Sequence, residues 1–224
     1  MKQSTPTRRR FLAGSAAAGV VGLAGCGALG GGNGNGSGNG GNGNGGDQTT
    51  VETGEQPLSA PVLGDPEASV TVMAFEDHRC PHCQTYSLEY FPEIRSEYVE
   101  PGDVRYEFHD LPVVNDESWR SASAARAVQD TVGNDAFWSY SKLLFENQNS
   151  LGPDTYASLA EEVDADPETV RTAAVEEAYR PTVEADRQRG IDMGVQSTPT
   201  IVVDGQLLDS YEVEAVSSAI DSAL

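Results

Sequence analysis

The sequence predicts an α/β fold, and three observations carry that expectation. Two β-branched, apolar runs, "SVTVMAF" (69–75) and "VRYEFHD" (104–110), flank a helical pattern, giving a strand–helix–strand unit. A long helical stretch follows, from about 117 to 193. The chain then enters "TPTIVVDGQLL" (198–208), where Asp204-Gly205 is a hairpin turn signal between two strands.

Taken in order, the first run reads as a buried strand. The next helix is expected to begin at the pair Cys80 and Cys83, which Pro81 and His82 separate. Tyr86, Tyr90, Ile94 and Tyr98 recur every four residues, one face of that helix. Pro92 interrupts the face and is expected to kink it. Pro101-Gly102 is a turn into the second strand. A unit of this kind is normally right-handed and parallel. The helical stretch holds "SWRSASAARAVQDTVG", "DAFWSYSKLLFENQ", "PDTYASLAEEV" and "PETVRTAAVEEAYRPTVEADRQRG". Asp154 and Asp166 sit near helix starts beside Pro153 and Pro167. Phe137, Trp138, Tyr140 and Phe145 read as helical core rather than as a substrate groove. The chain closes on a helix, "YEVEAVSSAIDSAL", and no internal repeat is evident.

The N-terminal segment reads as an address. "TRRRFL" (7–12) resembles the twin-arginine export signal, with Arg8 and Arg9 as the pair. The Gly- and Ala-rich run after it is short for a membrane span. It ends in "LAGC" (23–26), which resembles a lipobox. Residues 1–25 are then a signal peptide, and Cys26 is the lipidated new N-terminus. An uncleaved hydrophobic anchor is the other reading, and it also tethers the body outside the cytoplasm. Residues 26–56 form a Gly/Asn-rich leash with nothing to build a core. Asn35-Gly36-Ser37 is a possible glycosylation acceptor within it. The folded domain is expected over 57–224.

Composition narrows the partners. There are 35 acidic against 14 basic residues, a net charge of −21, and only Lys2 and Lys142 are lysines. Residues 1–25 carry four of the basic residues and no acidic one, so the remainder is more acidic still. Such a surface repels nucleic acid and anionic lipid headgroups. Scarce lysine and abundant Asp and Glu resemble haloarchaeal proteins, whose self-repulsion is screened in molar salt. An acidic interaction protein is the competing reading.

The three cysteines, at 26, 80 and 83, cannot make a disulfide framework. The pair at 80 and 83 is by itself compatible with a redox centre, half of a metal site or a structural staple. A staple would close a very short loop and constrain little chain. A zinc site wants four ligands, and the sequence offers only His78, His82 and His109 and no second CxxC. His78 and His109 read as ordinary polar residues.

A strand–helix–strand unit with CxxC at the helix start reads as a thioredoxin-like redox motif. With a helical insertion at about 113–193, the chain resembles the DsbA family. The resemblance rests on "CPHC" (80–83), "FW…LLFENQ" (137–148) and "GVQSTPTIVVDG" (194–205), and covers most of 60–224. It implies a thioredoxin-like fold in which Cys80, at the helix N-terminus, is the low-pKa attacking thiol. His82 is expected to donate a hydrogen bond to its sulfur, and Cys83 to be buried and to resolve the mixed disulfide. Pro199 corresponds to the family's cis-proline, and Thr198 offers its backbone to an extended substrate segment. One departure stands out: the acid often buried six positions before the first cysteine is here Ala74, with Glu76 and Asp77 nearby.

The resemblance implies a lipid-anchored, extracytoplasmic thiol–disulfide oxidoreductase, monomeric, with no organic cofactor or metal. Its expected partners are reduced exported proteins and a membrane redox protein. A membrane-tethered reductase of the same fold, or a non-catalytic metal- or thiol-binding module, shares the same residues.

Overall fold

The computed structural model describes residues 56–224. The expected signal peptide (1–25), the expected lipidation site Cys26, Asn35 and nearly all of the expected leash lie outside the described residues.

Five strands form one mixed sheet in the order β1-β3-β2-β4-β5. β2 (Val70–Glu76) and β3 (Val104–Asp110) are its parallel centre, paired from Val70 with Val104 to Glu76 with Asp110. β4 (Thr200–Val203) runs antiparallel to β2, and β5 (Gln206–Leu207) returns along β4. The turn between them puts Asp204 at φ 46° and Gly205 at φ 81°, the left-handed pair a tight hairpin requires. β1 (Val62–Gly64), a strand absent from the sequence reading, adds antiparallel to the free edge of β3.

β2 alternates as a sheet strand should. Val70, Val72 and Ala74 face a core built with Val104, Tyr106, Ile201, Val203, Ile94 and, from the C-terminal helix α8 (Val213–Ala223), Val216 and Ile220. Phe75 faces the other side with Leu111, Val195 and Val202. At the carboxyl ends the alternation stops. Ala74, Phe75 and Glu76 are all buried, as are Phe108, His109 and Asp110.

The segment after β2 is one helical path with four parts: α1 (Pro81–Thr85), a π turn (Tyr86–Tyr90), α2 (Phe91–Ile94) and a second π turn (Arg95–Val99). The expected kink at Pro92 thus takes the form of π turns on both sides of α2. A π turn holds more residues than the 3.6 of an α-helix. Mixing the two lets residues four apart stay on one face, and Tyr86, Ile94 and Tyr98 are all buried.

Five helices lie between β3 and β4: α3 (Asp116–Thr131), α4 (Asn134–Glu146), α5 (Pro153–Glu161), α6 (Pro167–Val175) and α7 (Arg180–Asp192). Asn115 caps α3, its Oδ1 accepting from the Glu117 amide at 3.0 Å. Asp166 does the same for α6 through the Thr169 amide at 2.8 Å. Phe137, Tyr140 and Phe145 are buried core, while Trp138 is half-buried. Gly190 lets α7 lie on the sheet, since a Cβ there would sit 3.1 Å from the Phe75 ring.

One charged cluster is buried where α3 and α7 meet β3. Arg126 donates from Nε to Asp110 at 2.7 Å and from an Nη to Asp186 at 2.5 Å. His109 bridges Asp186 (2.9 Å) and Glu107 (3.0 Å). A fully buried guanidinium is tolerable only with this many partners.

Candidate active site

Cys80 is the N-cap of α1, with extended backbone (φ −81°, ψ 121°), and Pro81 follows at the first helical position. This places its sulfur at the helix terminus, where unpaired backbone N–H groups favour negative charge. Cys83 lies one turn in and is fully buried, and both cysteines are free thiols. Thr198-Pro199 is a cis peptide, and the Thr198 carbonyl accepts from the Cys80 thiol at 3.4 Å. The structure therefore brings Cys80, Cys83, Thr198 and Pro199 together. His82 is exposed, and its Nδ1 lies 3.1 Å from the Tyr211 hydroxyl. It is the backbone of His82, rather than its ring, that reaches the Cys80 sulfur.

The two thiols are driven apart electrostatically. The Cys80 thiol is lowered to about 5, first by its hydrogen bond with Cys83 and then by Thr198 and the Cys83 and His82 amides, against the opposing effect of burial. Burial, the bond to Cys80 and the nearby Glu76 carboxyl push Cys83 well above the usual thiol range.

Glu76, four positions before Cys80, is 3% exposed at the end of β2. Burial raises its carboxyl to about 8, partly offset by the Ser87 hydroxyl that donates to it at 2.6 Å. It lines a cleft of about 310 Å³ whose walls include Phe91, Phe108, Trp138 and Phe145. The position the family resemblance marks for an acid, Ala74, faces the core instead. The sequence flags Glu76 only as a nearby acid, because its burial depends on the lost alternation at the strand end.

The loop before Cys80 is held by residues that sequence reasoning missed. Asp77 accepts from the Arg79 amide (2.8 Å) and from the amides of Val113 (2.8 Å) and Val114 (3.1 Å). Its own amide points at the Cys83 sulfur at 3.4 Å. Gln148, from the quoted "LLFENQ", donates to the carbonyls of His78 and Cys80, both at 2.9 Å. Arg79 returns a bond to the Gln148 carbonyl. His78 is buried between Phe108 and Phe145, with Nε2 2.9 Å from the Ser141 hydroxyl. Burial and the Arg126 charge lower it to about 3, so it stays neutral. A sequence signal for Gln148 existed in the motif, but its partner did not.

Beside the pair, His82, Thr198, Pro199, Thr200, Leu208 and Tyr211 line a groove of about 290 Å³. Among the described residues no group of three or more His, Cys, Asp or Glu side chains is placed to hold a metal ion. Arranged this way, the site can exchange a disulfide with an extended segment laid against Pro199.

Known proteins similar to this chain share its fold. A family model described as thioredoxin matches residues 58–222. Disulfide bond formation protein D of Bacillus subtilis is 29% identical over 171 residues, spanning 73% of this chain and 77% of that protein. The crystal structure of oxidised BdbD from Bacillus subtilis superposes with a TM-score of 0.69 at 29% identity, covering 73% of this chain and 92% of that one. Chlamydia trachomatis DsbA shares the fold, with a TM-score of 0.66 at 21% identity over 76% of this chain and 95% of that one. A CxxC pair split into low and high thiols, a cis-proline facing it and a helical insertion between β3 and β4 thus occur in a chain that belongs to the thioredoxin family, as a DsbA-like protein thiol–disulfide oxidoreductase.

Proposed function

We propose that the chain works outside the cytoplasm as an oxidase of protein thiols, introducing disulfides into exported proteins through Cys80 and Cys83. The observation that carries this reading is the asymmetry of the pair. A thiol held at about 5 stabilises the reduced form, which makes the disulfide a strong oxidant. A substrate thiolate attacks the Cys80 sulfur of the oxidised pair. The Cys80–Cys83 bond breaks, and its electrons go to Cys83, which takes a proton from neutral Glu76. A second substrate thiolate attacks the substrate sulfur of the mixed disulfide. The substrate disulfide forms and Cys80 leaves as a thiolate. Two electrons have moved from substrate to enzyme, and the pair is reset by a membrane partner that accepts them. His82 adds to the stabilisation of the Cys80 thiolate, and the Thr198 backbone pairs with the substrate strand.

Among the described residues no helix is long and apolar enough to cross a membrane. A lipid on Cys26, reached through a twin-arginine signal, is the tether that "TRRRFL" and "LAGC" support, with 26–56 as the leash and 57–224 as the working domain. The acidic composition fits an external medium of high salt, and the domain acts as a monomer.

The test is the reduction potential of the pair in molar salt, by equilibration with glutathione mixtures. A value far above the roughly −270 mV of thioredoxin is expected. A thioredoxin-like value would reverse the direction and make the chain a reductase. Cys80→Ser abolishes oxidation of a dithiol peptide, and wild-type rates in that variant would end the assignment.

A further inference from the structure

Tyr211 lies on the loop between β5 and α8, and the exchange chemistry described so far does not use it. Three rings hold its side chain. It stacks on Tyr90 (centroids 6.3 Å apart, 29° between planes), meets Tyr86 edge-on (6.3 Å, 88°) and leans on His82 (6.3 Å, 54°). Its hydroxyl sits 3.1 Å from His82 Nδ1. It also forms a wall of the groove at Thr198 and Pro199. One side chain therefore touches both the residue between the cysteines and the surface where a substrate strand would lie.

Burial first, then the neighbouring Tyr90, Cys80, Cys83 and Glu212, push the phenol above its ordinary range, so it stays protonated. A protonated hydroxyl can donate to Nδ1 or accept from it, and in either sense it holds the ring at that nitrogen. That hold anchors the His82 ring at Tyr211 while the His82 backbone amide stays on the Cys80 sulfur. The titratable groups facing Tyr211 are His82 on α1, Tyr86 and Tyr90 on the following π turn, the two cysteines, and Glu212 and Asp209 on its own loop.

We propose that Tyr211 is a positioning residue for the redox pair: it fixes the orientation of His82, and its ring is a specificity wall for the substrate segment at Pro199. This deepens the oxidase reading and rests on it for the word substrate. The coupling between Tyr211 and His82 stands independently.

The test uses the full reduced chain and follows the rate of Cys80 alkylation against pH. Tyr211→Phe removes the hydroxyl and keeps the ring. The thiolate fraction below the midpoint falls by about two- to tenfold, the worth of one hydrogen bond. His82→Ala gives a similar fall, and the double variant falls no further than either single one. An unchanged profile in Tyr211→Phe, or falls that multiply in the double variant, overturns the proposal. Tyr211→Leu, which removes the ring, raises KM for a dithiol peptide while Tyr211→Phe leaves it near wild type. Equal KM in all three proteins overturns the wall. The alkylation profile requires no oxidase activity, so a wild-type protein that fails to oxidise the peptide would remove the proposed function and leave the Tyr211–His82 coupling still measured.

Discussion

Cys80 and Glu76 tie the stability of the reduced protein to pH with opposite signs. Cys80 is lowered from 9.0 to about 5, so its contribution is full above pH 9 and is lost as pH falls toward 5. Glu76 is raised from 4.5 to about 8, so the folded state holds a proton that the unfolded chain has released. Its penalty is absent below pH 4.5 and grows as pH rises to about 8. Between pH 5 and 8 the two slopes oppose each other. Glu76→Gln removes one of them, and urea midpoints of the reduced variant should then climb steadily from pH 5 to 9. The same variant should slow formation of the mixed disulfide, because Cys83, the leaving thiolate of that step, loses its proton source. A flat profile identical to wild type would show that Glu76 does not titrate in this range. That Cys80, Cys83, Thr198 and Pro199 come together was legible in sequence because each sits inside a short motif. Glu76 was only half legible. Period-two alternation predicts which strand residues share a face, and says nothing about a strand end where three in a row are enclosed.

At the scale of elements, β2 and β3 lay within a residue of their sequence boundaries, since both are buried, β-branched runs with turns beside them. β1 did not announce itself. Three residues, "VLG", carry no periodicity, and the strand exists because β3 offers a free edge. The run "PETVRTAAVEEAYRPTVEADRQRG" read as one helical stretch and forms two helices. Glu177 adopts φ 50° between them, and Pro181 stands in the first turn of α7. Contacts between distant helices were beyond sequence reasoning, and the Arg126 cluster is the clearest case. It joins α3, β3 and α7 through three charged residues drawn from 110, 126 and 186. Arg126→Met should cost about 3–5 kcal/mol, because Asp110 and Asp186 are left buried without their cation. Chemical denaturation of the oxidised form measures it. A loss under about 1 kcal/mol would mean that the carboxylates find other partners or protons.

Outside the Arg126 cluster and Glu76, most of the charge of the described residues lies on the surface. Several of the few cations pair on exposed helices, as with Arg171 and Glu168 or Arg180 and Glu184, and such pairs contribute little. Self-repulsion among the remaining carboxylates then dominates at low ionic strength. The thermal midpoint should rise with potassium chloride up to molar concentration, where the screening length is only about 3 Å. A midpoint independent of salt would remove the adaptation to brine read from the composition.

The bonds from Gln148 to the carbonyls of His78 and Cys80, with Ser141 on His78, bear on modularity. An insertion between two strands is easily pictured as an appendage, removable to leave a minimal thioredoxin. Here that excision would strip the redox loop of its scaffolding and bare two carbonyls that lie against it. The segment of residues 116–192 braces the loop that leads into Cys80, so the two halves of this domain cannot be swapped or trimmed as separate parts.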